Sequence, residues 1–381
     1  MDFELNEEQR LLQESVSRML AGAYGSEKRK RYAAEPAGFS RGLWRTYAEL
    51  GLLGLPFDEA HGGVGGGAVE TMIVMESFGR VLALEPYLAS VVLGGGFVRL
   101  GGDAAVQSAL LPRIASGDTL VAFAHAERQS RYDLADVAMS ARREGSHVIL
   151  DGEKTLVLGG DSADRLIVSA RVSGARRDRT GIGLFLVDAT TEGIARRGYA
   201  AIDGRRAAEI AFTDVRAPAS AAIGESGNAF GLIERVTGHA IAALCAEAVG
   251  AMDALQASTV DYLKTRKQFG VPIGNFQVLQ HRAADMLIAL EGARSMALLA
   301  TMMADDPDPA ARRQALSAAK VQIGRSGRFI GQQAIQLLGG IGMTMEYPAG
   351  HYFKRLTAID TLFGDADHHL ALLARTDGLA A

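Results

Sequence analysis

The chain has 381 residues, of which 48% are hydrophobic and 22% are charged, with a formal net charge of −4. A chain of this length is longer than a single hydrophobic core usually supports, which predicts two or three domains. A mildly acidic balance creates no general field that would hold nucleic acid or an anionic membrane, so we expect neither as a partner. The one cysteine, Cys245, excludes an internal disulfide and suits a reducing compartment. The first residues lack the pattern of a signal peptide, and no run of about 18 uncharged apolar residues occurs, so we expect a cytoplasmic protein without a membrane span.

The hydrophobic pattern changes twice along the chain. Apolar residues recur at helical spacing over residues 1–118, and short β-rich runs bounded by Gly, Asp and Ser follow over residues 119–222. Long Ala- and Leu-rich segments then return over residues 223–381. Helices, strands and helices in separate blocks indicate segregated domains rather than a βαβ alternation. We therefore predict an α+β multidomain protein with an N-terminal all-α domain, a middle β-sandwich or barrel, and a C-terminal four-helix bundle.

Glu247 is the only charged residue between positions 240 and 252. Its helical neighbours, among them Ala243, Gly250 and Ala251, are small and apolar and offer no cationic partner. A carboxylate in such company is predicted to be buried, and a buried unpaired carboxylate usually has a function. The alternative is a structural Glu that bonds to backbone or water.

Four segments carry a resemblance to one family. TRKQFGVPIGNFQVLQH (265–281) resembles the flavin-binding segment of acyl-CoA dehydrogenases. GLLGLPFDEAHGGVGGG (51–67), FTDVRAPAS (212–220) and QLLGGIGMTMEYP (336–348) are similar to three further segments of that family, in the same order. The resemblance implies the acyl-CoA dehydrogenase fold and FAD as the cofactor.

The resemblance also implies flavin contacts in the middle domain. Phe123, His125 and Ala126 correspond to a segment along one edge of the ring, where the family often has a Thr at the position of Ala126. The missing hydroxyl implies that a flavin hydrogen bond comes from backbone or from His125. Leu156 and Val157 stand where the family often has a Trp-Ile pair, which implies aliphatic cover for the flavin.

In the family, the later segments reach the FAD of a neighbouring subunit, so the resemblance implies an oligomer. Arg266 is the natural ligand of the pyrophosphate, because its planar fork can bond phosphate oxygens bidentately. The glycines of the second segment would let backbone approach the cofactor closely. The residues expected to contact the cofactor in this way are Arg266, Gln268, Phe269, Gln277, Gln336, Gly339 and Gly340.

The family's usual catalytic base is missing. It precedes a Gly-Thr pair near the carboxyl terminus, and here Phe363 occupies that position, before Gly364. The backbone N–H of Phe363 can still bind the thioester oxygen. Some relatives place the base on the helix before RKQFG, where this chain has Ala240. Glu247 lies on the same helix face, about 10 Å further along, and we hypothesise that it is the base. Its small neighbours would leave room for a bulky acyl group or for the acid's own side chain.

Asp365 is the alternative base, because it lies one residue past Gly364. The competing interpretation makes Asp365 a helix N-cap, with Asp367 in the first turn, and we favour this one. A metal site formed with His368 and His369 is not expected, because consecutive helical side chains point about 100° apart.

Three functions follow from the resemblance. The first is α,β-dehydrogenation of an acyl-CoA to the trans-2-enoyl-CoA, with electrons passed to an electron-transfer flavoprotein. The second keeps the fold but lets the reduced flavin react with oxygen. The third is a non-catalytic or FAD-sharing subunit of a heteromeric dehydrogenase. The chain resembles the small-subunit type linked to pimeloyl-CoA and steroid side-chain degradation, either as a homo-oligomer or as an α2β2 assembly.

Overall fold

The computed structural model describes residues 5–376. Its amino-terminal part is helical, and Asn6 begins the first helix with a reciprocal capping box to Gln9. The irregular segment between α4 and α5 contains a π-helical run, Leu88–Gly95. The helices are α1 Glu7–Ala23, α2 Ser26–Ala33, α3 Arg41–Glu49, α4 Ala68–Val81, α5 Gly96–Gly101 and α6 Ala104–Ala115.

Seven strands form one mixed sheet in the middle of the chain, in the order β1-β4-β2-β3-β7-β6, with β5 added to β4. β1 runs parallel to β4, whereas the long β3–β7 pair is antiparallel and contains two register shifts. Bulges of this kind bend a strand and increase its twist. The strands are β1 Val121–Ala124, β2 Ser140–Glu144, β3 His147–Leu158, β4 Arg165–Arg171, β5 Ile182–Asp188, β6 Ile194–Ala200 and β7 Arg206–Pro218.

One face of this sheet encloses an apolar core that includes Ala122, Ala124, Val168 and Ala170. Since side chains alternate across a strand, the intervening residues of β1 and β4 point to the opposite face.

Long helices make up the carboxy-terminal part. A two-stranded hairpin, β8 Lys267–Gln268 and β9 Val271–Pro272, separates α7 from α8. The helices are α7 Phe230–Thr265, α8 Gln277–Met303, α9 Pro309–Leu338, α10 Ala349–Thr361 and α11 Ala366–Thr376.

The predicted order of helices, strands and helices is confirmed, and the middle β region is a single curled sheet. By compactness the chain divides into two units: one combines residues up to 30, 68–83 and 241 onward, and the other combines 31–67 and 84–240. This division does not follow sequence order, so the predicted domain limits at 118 and 222 stay a prediction.

Two helices are long and apolar enough to cross a membrane by length and composition alone: α7 and α8. The most apolar window of α7 is 83% buried within the protein, as in the core helix of a soluble protein, whereas the window of α8 is 33% buried. Neither helix contains a run of about 18 uncharged apolar residues, which is why the sequence pattern did not predict them as membrane spans.

Candidate functional site

A buried polar network joins strands β3 and β4 to the segment that follows β1. The Lys154 side chain is fully buried, and its Nζ donates to Glu127 Oε1 at 2.7 Å, to Ser169 Oγ at 3.0 Å and to the His125 carbonyl at 3.1 Å. His125 Nδ1 lies 2.9 Å from the same Ser169 Oγ. The three donors of the ammonium group are thus all used, which is what a buried charge requires.

Burial and the ion pair shift the proton affinities of this network. Burial, with Lys154 adding to it, lowers the pKa of His125 to about 3, so the imidazole is neutral near pH 7. Burial lowers the pKa of Lys154 to about 8, against the opposing attraction of Glu127. Burial alone would raise the pKa of Glu127, but the charge and hydrogen bond of Lys154 lower it overall. Glu127 is therefore the charged partner of Lys154 at neutral pH.

The sequence-predicted flavin contacts of the middle domain lie around this network. The Phe123 ring stacks on His125 with centroids 5.1 Å apart and an interplanar angle of 11°. Ala126 uses its carbonyl to accept the Thr155 N–H at 2.8 Å. The contact of these residues with a flavin stays a prediction.

Leu156 and Val157 are the aliphatic pair predicted to cover the flavin, and of the two only Leu156 has an exposed side chain. Leu156 is 42% exposed and has a left-handed backbone, with φ +49°. The side chain of Val157 is 1% exposed and packs in the sheet core. The expectation that the Val157 side chain covers a flavin is therefore wrong, because side chains alternate between the two faces of the strand.

The hairpin after α7 presents its polar and aromatic groups to the outside. Arg266 and Gln268 are exposed, and within residues 5–376 Arg266 forms no ion pair. Phe269 is 91% exposed, has φ +55°, and makes an edge contact with Phe276 at 6.1 Å between centroids. Gln277 begins α8 and is exposed. Arg266 and Phe269 are thus both open to solvent, and their contact with a cofactor stays a prediction.

The second predicted flavin segment follows α9. Gln336 is exposed on the last turn of that helix, and Gly339 and Gly340 follow it. Gly339 has φ +63°, and a Cβ added at either glycine would meet no atom within 4 Å. Backbone at this point is open to a ligand or a partner.

Glu247 is completely buried, as the sequence predicted, but it has a cationic partner. Arg355 of α10 binds it through two parallel hydrogen bonds, Nε to Oε1 at 2.7 Å and Nη2 to Oε2 at 2.6 Å. The two side chains are 0% and 3% exposed. The expectation of an unpaired carboxylate is wrong, because the partner stands 108 residues further along the chain and not on the same helix.

The small residues around Glu247 serve helix packing. A Cβ at Gly250 would lie 1.9 Å from the Glu76 carbonyl oxygen, and a Cβ at Gly79 would lie 1.9 Å from the Glu247 carbonyl oxygen. These reciprocal contacts bring α4 and α7 to backbone distance, which any side chain at either glycine would prevent. The prediction that Gly250 leaves room for a bulky acyl group is therefore wrong.

The turn at Phe363 has an unusual and well-supported backbone. Phe363 has φ +58°, which is strained for a bulky residue, and Gly364 follows with φ +109°. His369 Nε2 donates to the Phe363 carbonyl at 3.0 Å, and His369 Nδ1 accepts from the Ser317 hydroxyl at 3.1 Å. Within the described residues, the Phe363 N–H has no acceptor, as a thioester-binding group requires.

A buried lysine supports the end of α10 just before this turn. Lys320 is fully buried, and its Nζ donates to the Ile359 and Asp360 carbonyls at 2.6 and 3.1 Å. Burial lowers the pKa of Lys320 to about 8. Asp360 in turn pairs with Arg328 at 2.8 Å. A cation at the carboxyl end of a helix satisfies carbonyls that have no partner within the helix.

Asp365 caps α11. Its carboxylate accepts the His368 N–H at 2.8 Å, as the favoured interpretation predicted. No cluster of three or more His, Cys, Asp or Glu suited to a metal ion occurs over residues 5–376.

The buried His369 side chain makes the stability of the folded protein depend on pH. Burial, followed by the nearby Lys320 charge, lowers the pKa of His369 from 6.5 to about 4. Between these values the unfolded chain binds a proton that the folded chain does not, so stability falls as the pH drops from 6.5 to 4. A difference of about 2.5 pH units corresponds to about 3 kcal/mol.

Thermal unfolding of the wild type and of His369→Gln between pH 4 and 7.5 measures this term. We expect the variant to lose less of its stability on acidification. Equal slopes in the two proteins would contradict the assignment.

Two groups important to the site were missed in the sequence: Arg355, and the set Lys154, Glu127 and Ser169. In the sequence, Lys154 stands beside Glu153 and Glu127 stands beside Arg128, so no local pattern marks Lys154 and Glu127 as a buried pair. No local signal connects Arg355 to Glu247.

The comparisons with known proteins agree with this architecture over most of the chain. The models of the acyl-CoA dehydrogenase N-terminal, middle and C-terminal domains match residues 6–118, 122–215 and 230–376. The human mitochondrial short-chain specific acyl-CoA dehydrogenase is 30% identical over 318 residues, covering 81% of this chain and 76% of that protein.

Two solved structures are similar over nearly their full length. The Tcur3481-Tcur3483 steroid ACAD is 28% identical with a TM-score of 0.88, covering 98% of this chain and 99% of that chain. The ChsE4-ChsE5 complex from Mycobacterium tuberculosis is 25% identical with a TM-score of 0.88, covering 100% of both chains. The chain therefore belongs to the acyl-CoA dehydrogenase family of FAD-dependent oxidoreductases.

Proposed function

We propose that this chain catalyses the α,β-dehydrogenation of an acyl-CoA thioester to the trans-2-enoyl-CoA. The observation that carries the proposal is the match of three consecutive acyl-CoA dehydrogenase domains to almost the whole chain. Electrons would pass to an electron-transfer flavoprotein, as the family resemblance implies. The cytoplasmic location stays a prediction.

The residues present fit FAD by the chemistry of their donors. Arg266 is exposed and forms no ion pair within the described residues, which suits a pyrophosphate. Gly339 and Gly340 leave open space for close backbone approach, and Leu156 offers aliphatic cover. When bound, FAD supplies the acceptor for the hydride that leaves the substrate's β-carbon.

The Phe363 N–H is proposed to bind the thioester oxygen. Its backbone position is fixed by His369 on the carbonyl side, so the donor is oriented before substrate arrives. A preorganised donor stabilises the enolate that develops as the α-proton leaves.

Glu247 is proposed as the base, with a condition set by the structure. Both of its carboxylate oxygens accept hydrogen bonds from Arg355, which favours the charged form and weakens it as a base. Glu247 can take a substrate proton only when one of these oxygens leaves the guanidinium. The competing acid, Asp365, is engaged as a cap.

The same ion pair favours a second candidate function. A Glu247 held permanently by Arg355 would be structural, and the chain would then be the partner subunit of a heteromeric dehydrogenase, supplying Arg266 and the Gly339-Gly340 segment to a neighbour's FAD. The ChsE4-ChsE5 structure is a complex of two named chains. Exposed apolar side chains support an assembly of either kind: Phe269, Val278, Ile288, Ile341 and Met343 are 91%, 61%, 71%, 41% and 76% exposed.

Anaerobic reduction of bound FAD by a panel of acyl-CoA thioesters tests both candidates. Straight-chain, branched and steroid side-chain thioesters are added to the purified chain, alone and with a candidate partner subunit. We expect Glu247→Gln to slow flavin bleaching by at least about 100-fold, the range of a lost general base. Asp365→Asn is the matched control and is expected to bleach at the wild-type rate.

The outcomes separate the proposals. Bleaching of Glu247→Gln at the wild-type rate rules out this base. A wild type that bleaches only after the partner is added supports the subunit function. The variant Glu247→Gln/Arg355→Met removes both charges, so a slow rate there is not caused by an unpaired buried guanidinium. Rapid reoxidation in air with product bound would instead indicate an oxygen-using enzyme.

A further inference from the structure

The buried network determines which nitrogen of His125 carries the proton. Lys154 donates to Ser169 Oγ, so this oxygen acts as an acceptor there. The Ser169 hydroxyl proton then has His125 Nδ1, at 2.9 Å, as its acceptor. With Nδ1 accepting, the proton of the neutral imidazole lies on Nε2. The reverse arrangement would leave the Ser169 proton without an acceptor among the described residues.

The imidazole ring of His125 therefore presents an N–H donor at Nε2. Nε2 has no hydrogen-bond partner over residues 5–376, and the residue keeps 9% of its surface exposed. His125 follows β1 on the sheet face opposite the apolar core, because Ala122 and Ala124 point into that core. Stacking on Phe123 fixes the ring plane.

We infer that His125 is a flavin-binding residue whose Nε2–H donates a hydrogen bond to an acceptor atom of the isoalloxazine, with Ser169 and Lys154 as positioning residues that set this tautomer. The inference rests on the proposed flavin-dependent function. The isoalloxazine edge carries several oxygen and nitrogen acceptors and a single N–H, so a donor is the complementary group. Ala126 has no side-chain donor, and its carbonyl is already used by Thr155.

Equilibrium binding of FAD to the full chain, followed by flavin fluorescence, tests the donor. We expect His125→Leu to raise the dissociation constant about fivefold to tenfold, the effect of one lost neutral hydrogen bond. His125→Gln places an amide N–H near the position of Nε2 and should bind within about twofold of the wild type. His125→Asn offers only the Nδ1 position and should resemble the Leu variant. Thermal midpoints establish that each variant is folded.

Nitrogen-15 NMR of histidine-labelled apo-protein tests the tautomer without any cofactor. We expect the His125 signal, assigned by its loss in His125→Gln, to show Nε2 protonated and Nδ1 bare. Ser169→Ala should allow both tautomers. An Nδ1–H tautomer in the wild type would overturn the inference.

Binding outcomes distinguish this inference from the proposed function. If the wild type and His125→Leu bind FAD with equal dissociation constants, the inference alone is overturned. The inference alone is also overturned if His125→Gln binds FAD no more tightly than His125→Leu. A wild type that takes up no FAD, alone or with a partner subunit, overturns the inference and the proposed function together.

Discussion

Replacing the buried carboxylate, in Glu247→Gln, is expected to lower the free energy of unfolding by about 3–5 kcal/mol. The variant keeps the shape of the side chain but leaves the Arg355 guanidinium charged at 3% exposure without its counter-ion. Arginine cannot relieve this by losing its proton, unlike lysine. Urea and thermal unfolding of the apo-protein measure the loss.

A matched control and a paired variant make the result specific. Glu291→Gln removes the same charge from an exposed side chain that pairs with Arg294 at 3.6 Å, and should change stability by less than about 1 kcal/mol. Glu247→Leu/Arg355→Met removes both charges and should recover most of the loss, since apolar replacements of a buried pair are often neutral. A double variant as unstable as the single one would show that the pair is not the source of the effect.

The double variant also bears on function. A purely structural pair can be replaced without loss of flavin reduction, whereas a base cannot. If stability recovers while reduction of FAD by acyl-CoA does not, Glu247 has a chemical role beyond its bond to Arg355.

Local pattern predicted the architecture well, because helical spacing, β-rich runs and glycine turns are encoded within a few residues. The burial of Glu247 and the N-cap role of Asp365 were predicted for the same reason. Arg355 could not be predicted as the partner of Glu247, since α10 and α7 meet only through tertiary packing. Gly250 shows the same limit: a glycine in a helix is equally consistent with space for a ligand and with close contact to another helix, and only the packing against Glu76 decides.

The buried Lys154–Glu127 pair is expected to respond to substitution differently from the Glu247–Arg355 pair. Its two side chains also form hydrogen bonds with other segments of the chain. Lys154→Met should lower the free energy of unfolding by about 3–5 kcal/mol by leaving Glu127 without its cation. It also removes the donors to Ser169 and to the His125 carbonyl. Without the donation from Lys154, the Ser169 proton is no longer directed to Nδ1, so weaker FAD binding should accompany the loss of stability.

Neutralising both partners should not restore the wild-type state here. The Glu127 carboxylate also accepts the Ala138 and Met139 N–H groups at 2.9 and 3.1 Å, so Lys154→Met/Glu127→Leu leaves two backbone donors without acceptors. Lys264→Met, at an exposed position, is the matched control and should change stability by no more than about 0.5 kcal/mol. Unfolding and FAD titrations of the three variants measure these effects. Full recovery in the double variant would mean that Glu127 serves only as a counter-ion, and the loop from Glu127 to Met139 would then be ordered by other contacts.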